Sequence, residues 1–183
     1  NPFLFKGTIF SAGGYCALYG QALSSALILE SIDLPEKSSA NLSLSYLGVG
    51  GGLQHLAKNK KSSWGFTYNY IDLRLAFKLI DQKPDYFNIP ILHNADANFR
   101  IKTSRTGIIK YYGTFSTTDV GYRYADVDSA GMKDAFSLYN VNVYHNLSWR
   151  ESLGKGWQMT TGFSFSTHKT DIRSDLQDQT EKQ

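Results

Sequence analysis

From residue 41 onward, apolar and polar side chains alternate with a period of two, the spacing that sends successive side chains to opposite faces of a strand. Leu42, Leu44 and Tyr46 share one face of the first run, and Asn41, Ser43 and Ser45 the other. In the next, Trp64, Phe66, Tyr68 and Tyr70 stand against Ser63, Gly65, Thr67 and Asn69. The parity then switches. Ile71, Leu73, Leu75, Phe77 and Leu79 become the apolar set, so a bulge or a strand end is expected at Ile71. A hairpin follows, in which Ala95, Ala97, Phe99 and Ile101 lead through the turn 103–107 to Ile109, Tyr111, Gly113 and Phe115, with the charged residues kept on the opposite face.

The last hairpin carries the clearest pattern. Tyr139, Val141, Val143, His145, Leu147 and Trp149 alternate with Asn140, Asn142, Tyr144, Asn146 and Ser148. After a turn at 151–156, Trp157, Met159, Thr161, Phe163 and Phe165 alternate with Gln158, Thr160, Gly162, Ser164 and Ser166. Each of these strands runs to about a dozen residues, where a typical soluble strand has about five or six. That length matches the roughly 9 to 11 residues a tilted strand needs to cross a membrane.

The stretches between the runs read as connectors. Residues 34–37 and 58–62 are short and polar; 81–92, with Pro84 and Pro90, and 118–136, with Asp119, Asp126, Asp128 and Asp134, read as loops. The four aspartates lack the ordered ligand pattern of a calcium loop, with its central Gly and terminal Glu. Gly50-Gly51-Gly52 has neither the Lys-Ser/Thr ending of a phosphate loop nor the third glycine of a dinucleotide loop, since Leu53 stands there. A bend, bulge or tight turn in a strand is expected at those glycines.

Residues 1–35 are built differently. Pro2, Gly7, Gly13, Gly14 and Gly20 punctuate short apolar pieces, and the run from Ala22 to Glu30, between Gly20 and Pro35, is expected to be a strand. The segment GGYCALYGQALSSALILES resembles the closing segment of the plug domain of TonB-dependent outer-membrane receptors, in which a Tyr-Gly pair is followed by small residues and a strand that ends the plug. The matching positions are Gly13, Gly14, Tyr15, Ala17, Tyr19 and Gly20, then 22–30. Cys16 has no local histidine or activating partner and reads as a packing residue.

The resemblance implies an all-β chain: an antiparallel meander of long strands from a transmembrane β-barrel in the bacterial outer membrane, preceded by the end of a plug domain. Residues 1–35 would be the C-terminal part of the plug and 36–183 the first strands of an incomplete barrel. The function implied is active uptake of an unidentified substrate, whether small molecule, glycan or peptide. The partners implied are the lipid bilayer and the inner-membrane TonB complex, reached through a missing plug start. Trp64, Trp149 and Trp157, each beside a short turn on the apolar face, would then be membrane-interface aromatics. No residue is assigned to substrate; the loops 81–92 and 118–136 are expected to face the outside.

Composition narrows the alternatives. The 183 residues contain no run of about 20 apolar residues, so no transmembrane helix is expected, and a barrel strand would not show as one. A net charge of +3 with scattered Lys and Arg leaves no footprint for nucleic acid. One cysteine excludes an internal disulfide. His145 lies on the apolar face and His168 on the polar one, while His55 and His93 fall in other segments, so no metal site is expected. Nucleophile motifs are absent, and neither catalysis nor a cofactor is expected. Asn41-Leu42-Ser43 and Asn146-Leu147-Ser148 match the glycosylation acceptor pattern but lie in strands.

Alternation alone fits two other architectures: a soluble or surface β-sandwich binding module, and a non-transporting barrel that serves as an anchor or adhesin. Two features strain the barrel reading. The start reads as mature or cut, the polar tail KTDIRSDLQDQTEKQ lacks a closing aromatic residue, and an internal fragment is therefore expected. The short turns also fall after the first, third and fifth strands, and one more reversal near 48–52 would place them on the periplasmic side.

Overall fold

The computed structural model describes residues 5–11, 26–80, 85–126 and 131–178. Among these the chain is all-β with one short helix. Strands β1 (Phe5–Ser11) and β2 (Ala26–Ser31) pair antiparallel as a two-stranded sheet. The expected strand at 22–30 is thus present in its described part, from Ala26. The plug-end positions Gly13, Gly14, Tyr15, Cys16, Ala17, Tyr19 and Gly20 lie outside the described residues.

A second sheet holds seven strands in sequence order: β3 (Ser39–Ser45), β4 (Gly48–Leu56), β5 (Ser62–Asp72), β6 (Asp85–Lys102), β7 (Ile108–Ala125), β8 (Met132–Gly154) and β9 (Trp157–Asp178). Every pairing is antiparallel and between sequence neighbours. Each strand alternates side chains between faces, and the registers align like with like. Leu53, Phe66 and Ala97 form one row across β4–β6, and Phe99, Tyr111 and Leu147 another across β6–β8.

Several boundaries differ from those the pattern predicts, each for a physical reason. The chain reverses at Tyr46 and Leu47, just ahead of the glycine run. The Ser45 hydroxyl holds this turn by accepting from the Leu47 N–H at 3.2 Å and donating to the Gly48 carbonyl at 3.3 Å. Gly50, Gly51 and Gly52 then lie within β4 with an unbroken register, not at a bend. A side chain at Gly50 would meet Asn69 Oδ1 at 2.2 Å and Ser43 Oγ at 2.9 Å, so the glycine gives space to its cross-strand neighbours.

The alternating run after Ile71 is helical. α1 (Arg74–Leu79) begins once β5 has ended, and Asp72 turns the chain by accepting the Arg74 N–H at 3.0 Å. Strand β6 starts at Asp85, inside the segment expected to be a loop. Pro90 is accommodated because the register slips between Tyr86 and Asn88 and again between Asn88 and Ile91, and the Pro90 carbonyl accepts from Leu73. Likewise 118–136 is mostly strand, and only 126–131 connects β7 to β8. The last turn is Lys155–Gly156 alone, with positive φ of 50° and 81°, which matches the twist of a two-residue hairpin.

The turn 103–107 is where the sequence places it. Glu151 on β8 ties it down, accepting from Thr103 Oγ1 at 2.8 Å and from the Ser104 hydroxyl. These two hydroxyls hold the Glu151 carboxyl below its usual range. A methyl group at Gly107 would lie 1.9 Å from Glu151 Oε2 and 2.2 Å from Thr103 Oγ1. Gly107→Ala is therefore expected to displace Glu151 and cost about 1–2 kcal/mol. Amide exchange at 103–107 should accelerate, and unchanged exchange there would show that Glu151 does not hold the turn.

Candidate functional site

Along β4 to β6 the seven-stranded sheet buries polar side chains of one face, and along β4 to β9 it exposes large apolar side chains of the other. Arg100 is 2% exposed, Ser63 1%, and Gln54 and Asn98 5% each, whereas Trp64, Phe66, Leu147, Phe163 and Phe165 all remain exposed. Only three apolar side chains are buried among the described residues, Ala76, Ile108 and Ala135. Water selects the opposite distribution, because a guanidinium is costly to bury and an indole or phenyl ring costly to hydrate.

Register shows how the inversion is built. Ser63 pairs with Arg100, Gly65 with Asn98 and Thr67 with Asp96 on one face; Trp64 with Phe99, Phe66 with Ala97 and Tyr68 with Ala95 on the other. The polar face is internally bonded. Asp96 accepts from Thr67 Oγ1 at 3.1 Å and from the Tyr112 hydroxyl at 2.9 Å, while Asn146 donates to Ser164 at 2.8 Å and Asn140 to Thr170 at 2.7 Å. Ser43, Asn69, Asn94, Asp96 and Thr114 line a cleft of about 470 Å³ on this face. On the apolar face two imidazoles are paired with phenols, His93 Nδ1 lying 2.8 Å from the Tyr68 hydroxyl and His145 Nδ1 2.8 Å from that of Tyr111.

The connector between β2 and β3 is fastened to the polar face. Asp33 Oδ1 lies 2.7 Å from Lys110 Nζ, and Asp33 Oδ2 lies 3.0 Å from Arg150 Nη2. Lys110 also donates to the Ser31 carbonyl at 3.2 Å and the Ser31 hydroxyl at 3.0 Å. Burial works against ionising Asp33, but hydrogen bonding and charge from Lys110 and Arg150 outweigh it and hold the carboxyl below its ordinary range. The charge of Asp33 also acts on Arg100, opposite Lys110 in the ladder. Sequence inspection missed this clasp, since nothing in the pattern links residue 33 to partners 77 and 117 positions away.

Trp64, Trp149 and Trp157 all lie on the exposed apolar face. Trp64 follows the turn at 57–61, and the other two flank Lys155–Gly156. Asp33, the start of β3 and the turns at 57–61, 103–107 and 155–156 share one end of the sheet, as the Ser38 bond to Leu56 and the Asp33 bonds to Lys110 and Arg150 require. With the reversal at Tyr46–Leu47, these turns follow β4, β6 and β8.

At the opposite end the two faces exchange character. Past the row Asp119, Tyr139 and Asp171, the outer parity carries Asp85, Arg123 and Lys133. Asp85 pairs with Lys133 at 3.1 Å and with Arg123 at 3.9 Å, and Arg123 lies over the Phe87 ring at 4.8 Å. The inner parity there becomes apolar, with Val120, Leu138 and Ile172 in one row and Tyr86, Tyr122 and Phe136 in the next. The rings run on continuously: Phe77 of α1 to Tyr86 at 5.0 Å, Tyr86 to Tyr122 at 5.9 Å, then Tyr122 to Phe136 at 5.5 Å and to Tyr124 at 5.9 Å. The predicted loops at 81–92 and 118–136 thus contribute strand, from Asp85 in the first and up to Ala125 and from Met132 in the second.

Among the described residues no three His, Cys, Asp or Glu side chains come together, and no helix is long and apolar enough to cross a membrane. Comparison with protein-family models, curated proteins and solved structures found no match.

Proposed function

We propose that this chain is part of a TonB-dependent receptor of the bacterial outer membrane, contributing the end of the plug and the first strands of the barrel, and that it serves the active uptake of a substrate. The inverted sheet carries the reading: arginine and amides buried on one face, tryptophan and phenylalanine exposed on the other. Such a sheet suits lipid outside and a polar lumen within.

Dimensions support it. The outward apolar band spans the ten steps from Tyr139 to Trp149 on β8, about 33 Å of strand at about 3.3 Å per residue. At a tilt of about 45° this gives a height of about 23 Å, close to the apolar band of outer-membrane barrels. Clasping the connector on the polar face at the short-turn end suits a chain that leaves a plug inside the lumen and enters the wall from the periplasmic side. The segments 73–84 and 126–131 then lie outside the cell, where loops on a rigid wall contact substrate. The outer edges of β3 and β9 are unpaired among the described residues, and further strands close the barrel between them.

The β-sandwich alternative would cover the apolar face with a second sheet. The two-stranded sheet instead leads through Ser31 and Asp33 onto the polar face. Fractionation of the full-length protein is the direct test. Recovery with outer membranes, released by detergent and not by high salt, is expected; recovery in the soluble fraction would overturn the membrane reading. An open reading frame without the start of a plug upstream of Asn1 would overturn the transporter and leave an anchor.

A further inference from the structure

We propose that the aromatic run on the inner wall at the loop end is a binding platform for a neutral, polyhydroxylated ligand, an oligosaccharide. This rests on the barrel reading, which makes that wall the mouth of the lumen.

Three observations point to this chemistry. The first is the run itself. Tyr86, Tyr124 and Phe136 surround Tyr122 at 5.5–5.9 Å on the inner parity, and Tyr124 keeps 46% of its surface exposed. Rings presented in sequence stack on the C–H faces of successive sugars, while their hydroxyls remain free to bond. The second is the wall that continues inward from them. Asn140, Asn142 and Thr170, with Tyr144 and Ser164 beyond, present amides and hydroxyls that both donate and accept, as sugar hydroxyls require.

The third is charge. The inner-wall cations Arg100, Lys110 and Arg150 stand at the far end, gathered around Asp33. Arg123 and Lys133, at the loop end, project on the outer parity and are engaged by Asp85. Among the described residues of β6 to β9, an anionic ligand would find no cluster of positive charge on the inner parity beside the rings, whereas a neutral one needs none.

The experiment uses the full-length protein, purified from outer membranes in detergent, titrated calorimetrically with maltohexaose, cellohexaose, xylohexaose and mannohexaose, and with an anionic ferric tris-catecholate. At least one hexasaccharide should bind. Tyr124→Ala should weaken it about tenfold, as loss of one stacked ring implies, and Tyr124→Phe less than about threefold, since the ring remains. Heat-modifiable gel mobility verifies that each variant is folded. A folded, membrane-derived protein that binds none of the hexasaccharides, or prefers the ferric complex, would overturn the ligand class and leave the receptor reading standing. Binding unaffected by Tyr124→Ala would overturn the platform. A protein that never partitions to membranes would overturn the barrel on which both depend.

Discussion

Arginine in place of Phe115 is expected to destabilise the protein in a bilayer by about 2–4 kcal/mol, while arginine at Ser116, the next residue, should change stability by less than about 1 kcal/mol. Phe115 is 42% exposed and sits midway along the outward band of β7, opposite Val143. On the barrel reading a guanidinium there would face hydrocarbon. Ser116 points to the polar face, opposite Asn142, where an added charge meets amides and water. Urea unfolding of the full-length protein in lipid vesicles measures both. If the exposed face were wetted, the order would reverse: Arg at Phe115 would fall within about 0.5 kcal/mol of wild type, as ordinary surface changes do. The pair of substitutions thus reads which solvent each face meets, which alternation alone does not reveal.

The second large effect is expected at Asp33. Asp33→Ala removes the one carboxylate that bonds both Lys110 and Arg150 and leaves those cations, with Arg100 nearby, facing one another. Lys110 is largely buried and Arg150 half exposed, so the pairs lie between the surface and interior regimes. A loss of about 1–2 kcal/mol is expected, seen as faster proteolysis of the connector between β2 and β3. A double-mutant cycle with Lys110→Ala should recover coupling in the same range; full additivity would show that the clasp holds nothing. The effect also depends on pH. Because the folded carboxyl titrates below its ordinary value of 3.8, its stabilisation is complete above that value and fades as the pH falls through the lowered one. Asp33→Asn should remove this acid limb from the connector's protection.

Much of the sheet was legible because period-two alternation is a local signal. Trp64 to Tyr70, Ala95 to Ile101 and Tyr139 to Trp149 each announce a strand and its faces without any long-range knowledge. The signal fails where local rules compete. Leu73, Leu75, Phe77 and Leu79 alternate like a strand, yet Asp72 turns the backbone into α1. Pro84 and Pro90 suggested a loop, but slips in register let β6 carry Pro90. At 118–136 the apolar set changes face, from Ile109, Tyr111 and Phe115 to Val120, Tyr122 and Tyr124, and an unbroken strand resembles the end of one. The turn at Tyr46–Leu47 has no glycine or proline at its centre and is held by the Ser45 hydroxyl, a signal visible only with partners in view. The clasp at Asp33 and the ring run at the opposite end of the sheet depend on tertiary neighbours, and no pattern of spacing encodes them.

The neighbour-only pairing of β3 through β9 bears on how the protein is made. No strand waits for a distant partner. Each ladder closes over a connection of between two residues and about a dozen, so the entropy lost at each step is that of a short loop. Such a sheet can be laid down hairpin by hairpin in the order of synthesis, with the newest strand always the growing edge. Among the described residues its β3 edge stays unpaired from the first hairpin to the last, and on the barrel reading it is there, beside the clasped connector, that the final strand would arrive.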